Sequence, residues 1–248
     1  MTMDSTDIRA EADRILSSGL RSILDRHGAV HIVGRYVLGL MTWRDLDIHV
    51  VRENLDIRAF FDLGGDLAGM LKPHRMHFRD ESTVATAGLP RGFYWGIYLG
   101  DERSGAWKID IRQTNQHAFD VVRRFGEALS ARLNVMNRAV IIEIKAACWH
   151  HPEYRRGFTS ADIYEAVLDR GVRDVPEFWA DLRERKGYRS SCRSSKVNHR
   201  CAVTPLQPKG QLAGQPESNS QAASRMSQGG EPPHKIDASR EAASDCEF

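Results

Sequence analysis

Three aspartates are the residues of this sequence whose types and spacing could carry out chemistry. Asp45 and Asp47 are two positions apart, and Asp110 interrupts an apolar run. Residues two apart on a strand point to the same face, so Asp45 and Asp47 should lie side by side. Three unpaired carboxylates on one face would raise one another's pKa. Two Mg²⁺ or Mn²⁺ ions would relieve this repulsion and could promote an in-line phosphoryl displacement.

Each aspartate taken alone could equally be a polar strand residue that faces solvent. The three together, with the glycine turn at Gly34 upstream of them, favour a site. Whether they meet depends on the elements that carry them.

Short runs of strand type are predicted around these acids. The pattern also predicts a helix over residues 8–24 that ends at Gly28, a loop from Tyr36 to Trp43, and a helix over 54–71 that Pro73 ends. The last two strand candidates flank a glycine-rich turn, so they are expected to form a hairpin. The strand candidates are residues 30–34, 46–51, 76–78, 93–99 and 107–112.

From about residue 117 the pattern is helical. Helices are predicted over 117–133 and 136–150, then over two further segments. Thr159 or Ser160 with Asp162 caps the first of these segments, and Asp174 with Glu177 forms a capping-box pattern before the second. We therefore expect an α+β fold in which a small mixed sheet (residues 1–115) precedes a helical region (116–187).

Residues 188–248 differ in composition from the rest of the chain. They are rich in Ser, Gln, Gly and Pro and lack an apolar period, so we expect a disordered tail. They hold eight basic and six acidic residues, which leaves 27 of each sign in residues 1–187. This neutrality argues against a nucleic-acid polymerase, and nucleic acid is not an expected partner.

Other features of the chain restrict its cellular setting. No apolar run is long enough to span a membrane, and the N-terminus is too polar for a secretory signal. The four cysteines are too scattered for a disulfide framework or a zinc site. We expect a cytoplasmic protein that does not bind membranes.

The ordered motifs resemble the nucleotidyltransferase superfamily of polymerase-β-like fold. The residues that carry the resemblance are Val33–Gly34–Arg35, then Asp45–Leu46–Asp47–Ile48, then Ile109–Asp110–Ile111. The stretch from Gly34 to Ile48 is similar to small bacterial antibiotic nucleotidyltransferases. The similarity covers roughly residues 28–112, and residues 117–187 fit the helical partner region that such proteins often have.

The resemblance implies roles for the three acids and for one glycine. Asp45, Asp47 and Asp110 would be both the catalytic and the metal-binding residues, holding Mg²⁺ (two ions, with Mn²⁺ as the alternative). Asp110 would also orient the acceptor hydroxyl. Gly34 would let the backbone approach the triphosphate.

Three basic residues would complete the nucleotide site. Arg35 stands where the family usually has Ser or Gly, and it could either pair with phosphate or fill the pocket. Arg44 could contact phosphate or pair with acidic neighbours. Lys145 could reach the triphosphate or be a snorkelling helix residue.

The function implied by the resemblance is transfer of a nucleoside monophosphate (an activity of the EC 2.7.7 type). A nucleoside triphosphate, expected to be ATP, would donate it to an acceptor hydroxyl with release of pyrophosphate. The acceptor would be a small molecule or a protein. The alternative is a catalytically impaired binding module on the same fold. A glycosyltransferase with an Asp-x-Asp motif is disfavoured, because only 44 residues precede Asp45.

Overall fold

The computed structural model describes residues 5–83 and 89–187. The tail predicted to be disordered lies outside the described residues, and the division of the chain at residues 115 and 187 stays a prediction. None of the helices in the described part is both long and apolar enough to cross a membrane.

A five-stranded mixed sheet forms the centre of the fold, as the α+β prediction requires. Its order is β1-β2-β5-β4-β3; β2 and β5 run parallel, and the other neighbours are antiparallel. The predicted hairpin is therefore confirmed as β4 and β5. The strands are β1 (Ala29–Val33), β2 (Asp45–Val51), β3 (Arg75–Asp80), β4 (Phe93–Tyr98) and β5 (Lys108–Thr114).

The two faces of this sheet differ sharply in polarity. One face presents residues such as Leu46, Ile109 and Trp95 to a buried apolar core. Three helices pack there: α1 (Ser5–Ile15), α2 (Arg21–Asp25) and α4 (Ile57–Leu71). Because side chains alternate along a strand, the polar residues between these apolar ones share the opposite face. All three aspartates lie on that opposite face.

Two local predictions were wrong. The first helix is not continuous: a π-helical segment (Leu16–Leu20) separates α1 from α2, and Gly19 within it has φ +114°. The apolar spacing continues through this break, so periodicity alone could not reveal it. The expected loop after β1 begins with a short helix, α3 (Gly34–Leu38), which Gly39 ends in a left-handed conformation.

Four helices follow the sheet: α5 (Gln116–Arg132), α6 (Val135–Cys148), α7 (Ser160–Arg170) and α8 (Val175–Lys186). The Thr159–Asp162 capping box is present, and Asp174 caps α8 by accepting from the backbone of Glu177. These helices share a second apolar core with Leu38, Leu40 and Trp43. The segment between β1 and β2 therefore ties the sheet to the helical half.

Candidate active site

Asp45, Asp47 and Asp110 converge on the polar face where β2 and β5 run side by side. The parallel register sets Asp47 opposite Asp110 and Asp45 opposite Lys108. One carboxylate oxygen from each aspartate lies within 4.8 Å of the others. The four residues thus occupy the corners of a square in which three corners are acidic and Lys108 is the basic one.

Asp45 is buried and paired with a basic side chain of α3. Its Oδ2 lies 2.6 Å from Nη1 of Arg35, whose own side chain is 1% exposed. The Arg35 guanidinium also lies over the Trp43 ring, 4.6 Å from the centroid. Burial alone would raise the pKa of Asp45, but the neighbouring cations, led by Arg35, lower it to about 2.

Asp47 has a different environment from Asp45, although both lie on β2. Burial, reinforced by the charges of Asp45 and Asp110, raises the pKa of Asp47 to about 8. Gly34 packs directly against it, because a Cβ built on Gly34 would lie 2.5 Å from Asp47 Oδ2. This close approach, together with a φ of +65° at Gly34, requires glycine at this position.

Asp110 is held by two donors, one for each carboxylate oxygen. Tyr94 donates from Oη to Oδ1 at 2.8 Å, and Lys108 Nζ lies 3.0 Å from Oδ2. Burial raises the pKa of Asp110 in spite of the opposing charge of Lys108. Burial acts against the charged form of Lys108 too, but Asp110 and Asp45 hold its pKa above its usual range.

Tyr94 reaches Asp110 because its neighbour on the same face of β4 is Gly96. A Cβ on Gly96 would lie 2.5 Å from the Tyr94 hydroxyl oxygen, so only glycine leaves room for the ring. The guanidinium groups of Arg79 and Arg112 lie over the same ring, 4.2 and 4.9 Å from its centroid. Tyr94 was not among the site residues expected from the sequence; the alternation Tyr94-x-Gly96 is the signal that could have indicated its role.

Arg155 is a site residue that the sequence analysis did not find. It lies in the loop between α6 and α7, with φ +69°. One nitrogen is 3.6 Å from Asp45 Oδ2, and another is 3.2 Å from Glu102. Nothing in the sequence near Arg155 connects it to a strand more than a hundred positions earlier.

The two other basic candidates lie in different surroundings. Arg44 donates to both carboxylate oxygens of Glu11, at 2.6 and 2.8 Å, so it pairs with an acid of α1. Lys145 is buried on α6, where Nζ donates to Tyr164 Oη at 3.3 Å and lies 4.8 Å from the Trp43 centroid. Their assignment to a nucleotide site stays a prediction.

The expectation of three unpaired acids needs correction. Arg35, Lys108 and Arg155, all within the described residues, lie against the carboxylates and offset much of their charge. The repulsion inferred from the sequence is therefore partly relieved by the chain itself. It persists most strongly at Asp47, whose pKa is raised to about 8.

The remaining oxygens still suit a divalent metal ion. Asp45 Oδ1 and Asp47 Oδ2 are buried, and neither makes a hydrogen bond of normal geometry with the described residues. The nearby Trp43 side chain contributes to the lowered pKa of Asp45. Buried oxygens without a hydrogen-bond partner are costly, and a hard cation such as Mg²⁺ prefers oxygen ligands. Asp45 and Asp47 together therefore fit one such ion.

Comparisons with solved structures return nucleotide-transferring enzymes. Cid1 poly(U) polymerase, with Mg and 3′-dATP bound, matches with a TM-score of 0.48 and 14% identity, over 67% of this chain and 50% of that one. A cytoplasmic RNA terminal U-transferase matches with a TM-score of 0.46 and 16% identity, over 64% and 47%. The chain thus spans about half the length of these proteins.

No protein-family model matches the sequence, and no curated protein matches it. The roles of individual residues are therefore derived from the site itself.

Proposed function

We propose that this protein is a metal-dependent nucleotidyltransferase. The observation that carries the proposal is the convergence of Asp45, Asp47 and Asp110, with one oxygen from each within 4.8 Å. Carboxylates that cluster on a polar sheet face, some of them with buried unpaired oxygens, are the donor set that Mg²⁺ or Mn²⁺ requires. Phosphoryl transfer is the chemistry that such an ion assists.

Asp45 Oδ1 and Asp47 Oδ2 are the atoms that would hold the ion. When bound, it would neutralise charge on the triphosphate and stabilise the leaving pyrophosphate. Arg35 fixes the orientation of Asp45 by binding Oδ2, which leaves Oδ1 as the oxygen of Asp45 that would hold the ion. Gly34 keeps α3 close to Asp47 without a side chain between them.

The transfer forms one bond and breaks another at the α-phosphorus. The acceptor hydroxyl oxygen attacks, and the bond to the β-phosphate oxygen breaks, with its electron pair leaving on pyrophosphate. We assign Asp110 to receive the hydroxyl proton, because burial raises its pKa and so makes it a better base. Tyr94 and Lys108 hold its carboxylate in one orientation during this step.

The donor is proposed to be ATP, and the acceptor a small molecule or a protein. Calorimetric titration with ATP, CTP, GTP and UTP, in Mg²⁺ and in EDTA, tests the nucleotide site and identifies the base. We expect metal-dependent binding that Asp47→Asn weakens at least tenfold, whereas Asp66→Asn, a surface change on α4, leaves it unaltered. Equal binding by Asp47→Asn would contradict the assignment of Asp47.

The acceptor needs its own experiment. Radiolabelled nucleotide, offered with aminoglycosides, with cell protein and with short RNA in separate reactions, should label the first or the second. Transfer to RNA alone would retain the enzyme class but overturn the proposed acceptor.

A second candidate function is a binding module without transferase activity. The observation that favours it is the buried ion pair of Arg35 with Asp45, which places a guanidinium beside the carboxylates. If Arg35 obstructs the pocket, Arg35→Ser should strengthen metal-dependent nucleotide binding. If Arg35 instead orients Asp45 or grips phosphate, the same variant should weaken binding, whereas the exposed Arg123→Ser should change nothing.

A further inference from the structure

Lys108 occupies the one corner of the square that is not acidic. On β2 and β5 the corners are Asp45 and Asp47 on one strand, Lys108 and Asp110 on the other. Lys108 is therefore the neighbour of Asp110 along its own strand and of Asp45 across the sheet. The Lys108 ammonium therefore lies between Asp45 and Asp110, which are diagonally opposite each other.

The Lys108 side chain is fixed in this place. It is 2% exposed, with Nζ 3.0 Å from Asp110 Oδ2 and 5.8 Å from the Tyr98 ring centroid. A buried ammonium needs an anionic partner, and Asp110 supplies it. If the two side chains separated, the Lys108 ammonium and the Asp110 carboxylate would each be buried without the closest opposite charge.

The oxygens of the three aspartates divide into two groups. Those of Asp110 each accept from a protein donor, Tyr94 for one and Lys108 for the other. By contrast, Asp45 and Asp47 each have a buried oxygen that no described donor reaches. Of the three aspartates, Asp45 and Asp47 are thus the two that offer a carboxylate oxygen to which no donor in the described part of the chain is hydrogen-bonded.

From these positions we propose that the site takes a single divalent ion, held by Asp45 and Asp47, and that the Lys108 ammonium replaces a second one beside Asp110. A second divalent ion on Asp110 would lie within a few ångströms of Lys108 in a buried setting, where like charges repel strongly. This inference rests on the proposed function and replaces the sequence-based expectation of two ions.

The replacement has a chemical consequence. An ammonium contributes one positive charge and N–H donors, but it has no open coordination position with which to lower the pKa of a bound hydroxyl. Asp110 must then act on the acceptor hydroxyl directly, through a remaining lone pair of the carboxylate that Lys108 and Tyr94 hold in place. Lys108 is in this sense a positioning and charge-balancing residue.

The test is a count of bound Mn²⁺ by electron paramagnetic resonance, with the full chain and one equivalent of a non-hydrolysable ATP analogue. We expect one ion per wild-type chain. In Lys108→Met, Asp110 loses its cation, and we expect two ions whose spins couple, because two-metal sites hold their ions about 4 Å apart. Arg112→Met also removes a buried cation from β5, and it should still bind one ion.

Other outcomes overturn the inference. Two ions per wild-type chain would overturn the single-ion proposal. Because this count needs no variant, the proposal can be tested even if Lys108→Met does not fold. A second ion gained equally by Arg112→Met would show a general effect of charge rather than a role of Lys108. If wild type binds nucleotide analogue but no Mn²⁺, or binds neither, the proposed function fails and this inference fails with it.

Discussion

Gly34 and Asp47 are in such close contact that no side chain fits between them. A Cβ on Gly34 would lie 2.5 Å from Asp47 Oδ2, an oxygen that no donor of the described residues reaches. The backbone at the start of α3 therefore forms one wall of the carboxylate cluster. The glycine turn noted in the sequence therefore has a structural role: the missing side chain of Gly34 leaves room for the carboxylate of Asp47, 13 positions later.

Gly34→Ala should remove metal-dependent nucleotide binding. The new methyl group would displace the Asp47 carboxylate, and alanine at φ +65° would also cost about 1 kcal/mol of stability. The matched control is Gly65→Ala within α4, where a Cβ meets nothing within 4 Å and helix propensity should favour alanine. Thermal unfolding and calorimetry check both; wild-type binding by Gly34→Ala would contradict the geometry.

Tyr94→Phe should slow transfer about tenfold while leaving nucleotide affinity nearly unchanged. The lost hydrogen bond to a charged group is worth about 1.5 kcal/mol or more, and it acts on Asp110 rather than on the metal ligands. Gly96→Ala should have a similar effect, because its methyl group would push the Tyr94 hydroxyl away. In a double variant the two losses should not add.

The control for Tyr94 is Tyr154→Phe. It also deletes a buried hydroxyl contact, 2.7 Å from Ser160, but in the helical half of the protein. We expect the two variants to lose similar amounts of stability, whereas only Tyr94→Phe should lose turnover. This result would show that Tyr94 acts by orienting Asp110 and not only by packing. Equal turnover in both variants would rule out the role of Tyr94.

His49, on the same face of β2, should make the fold sensitive to acid. Burial lowers its pKa to about 3. The unfolded chain takes up a proton below about pH 6.5 and the folded chain does not, so this histidine lowers stability as pH falls, by about 1.4 kcal/mol per unit. Asp47, with a raised pKa, acts in the opposite direction over much of this range, so the comparison must be with a variant.

The variant is His49→Gln, unfolded in urea at pH 7.5 and 5.5. Relative to it, the wild-type free energy of unfolding should fall by about 1.4 kcal/mol between these pH values. Parallel pH profiles for the two proteins would show that His49 is not held neutral in the fold.

Metal affinity should rise with pH. The raised pKa of Asp47 means that a proton must leave before the carboxylate can bind an ion. Mn²⁺ should therefore bind about tenfold more tightly per pH unit below about pH 8 and level off above it. Titrations at pH 6, 7, 8 and 9 check this, and a flat profile would show that Asp47 is already ionised without metal.

Strand alternation and motif order predicted a small mixed sheet and favoured a site at the three aspartates, which the structure brings together. Parity along each strand sets which face Asp45, Asp47 and Asp110 share. Which strand lies beside which is not local information, so the parallel pairing of β2 with β5 was not predicted.

The electrostatic partners of the acids were harder to foresee. Arg155 reaches Asp45 from a loop between two helices, and no periodic pattern marks such a residue. Arg35 was noted in the sequence because the family usually has Ser or Gly at this position. The direction of its side chain depends on the short helix α3, which has too few residues to show an apolar period. Strand alternation places Lys108 on the same face as Asp110, but the sequence does not show that the Lys108 side chain is buried.

The most direct test of the account locates the metal itself. Crystals grown with Mn²⁺ and a non-hydrolysable ATP analogue should show an anomalous peak that both Asp45 and Asp47 ligate, with triphosphate oxygens completing its coordination. A nucleotide bound elsewhere, or an ion that avoids these two carboxylates, would contradict the proposed active site.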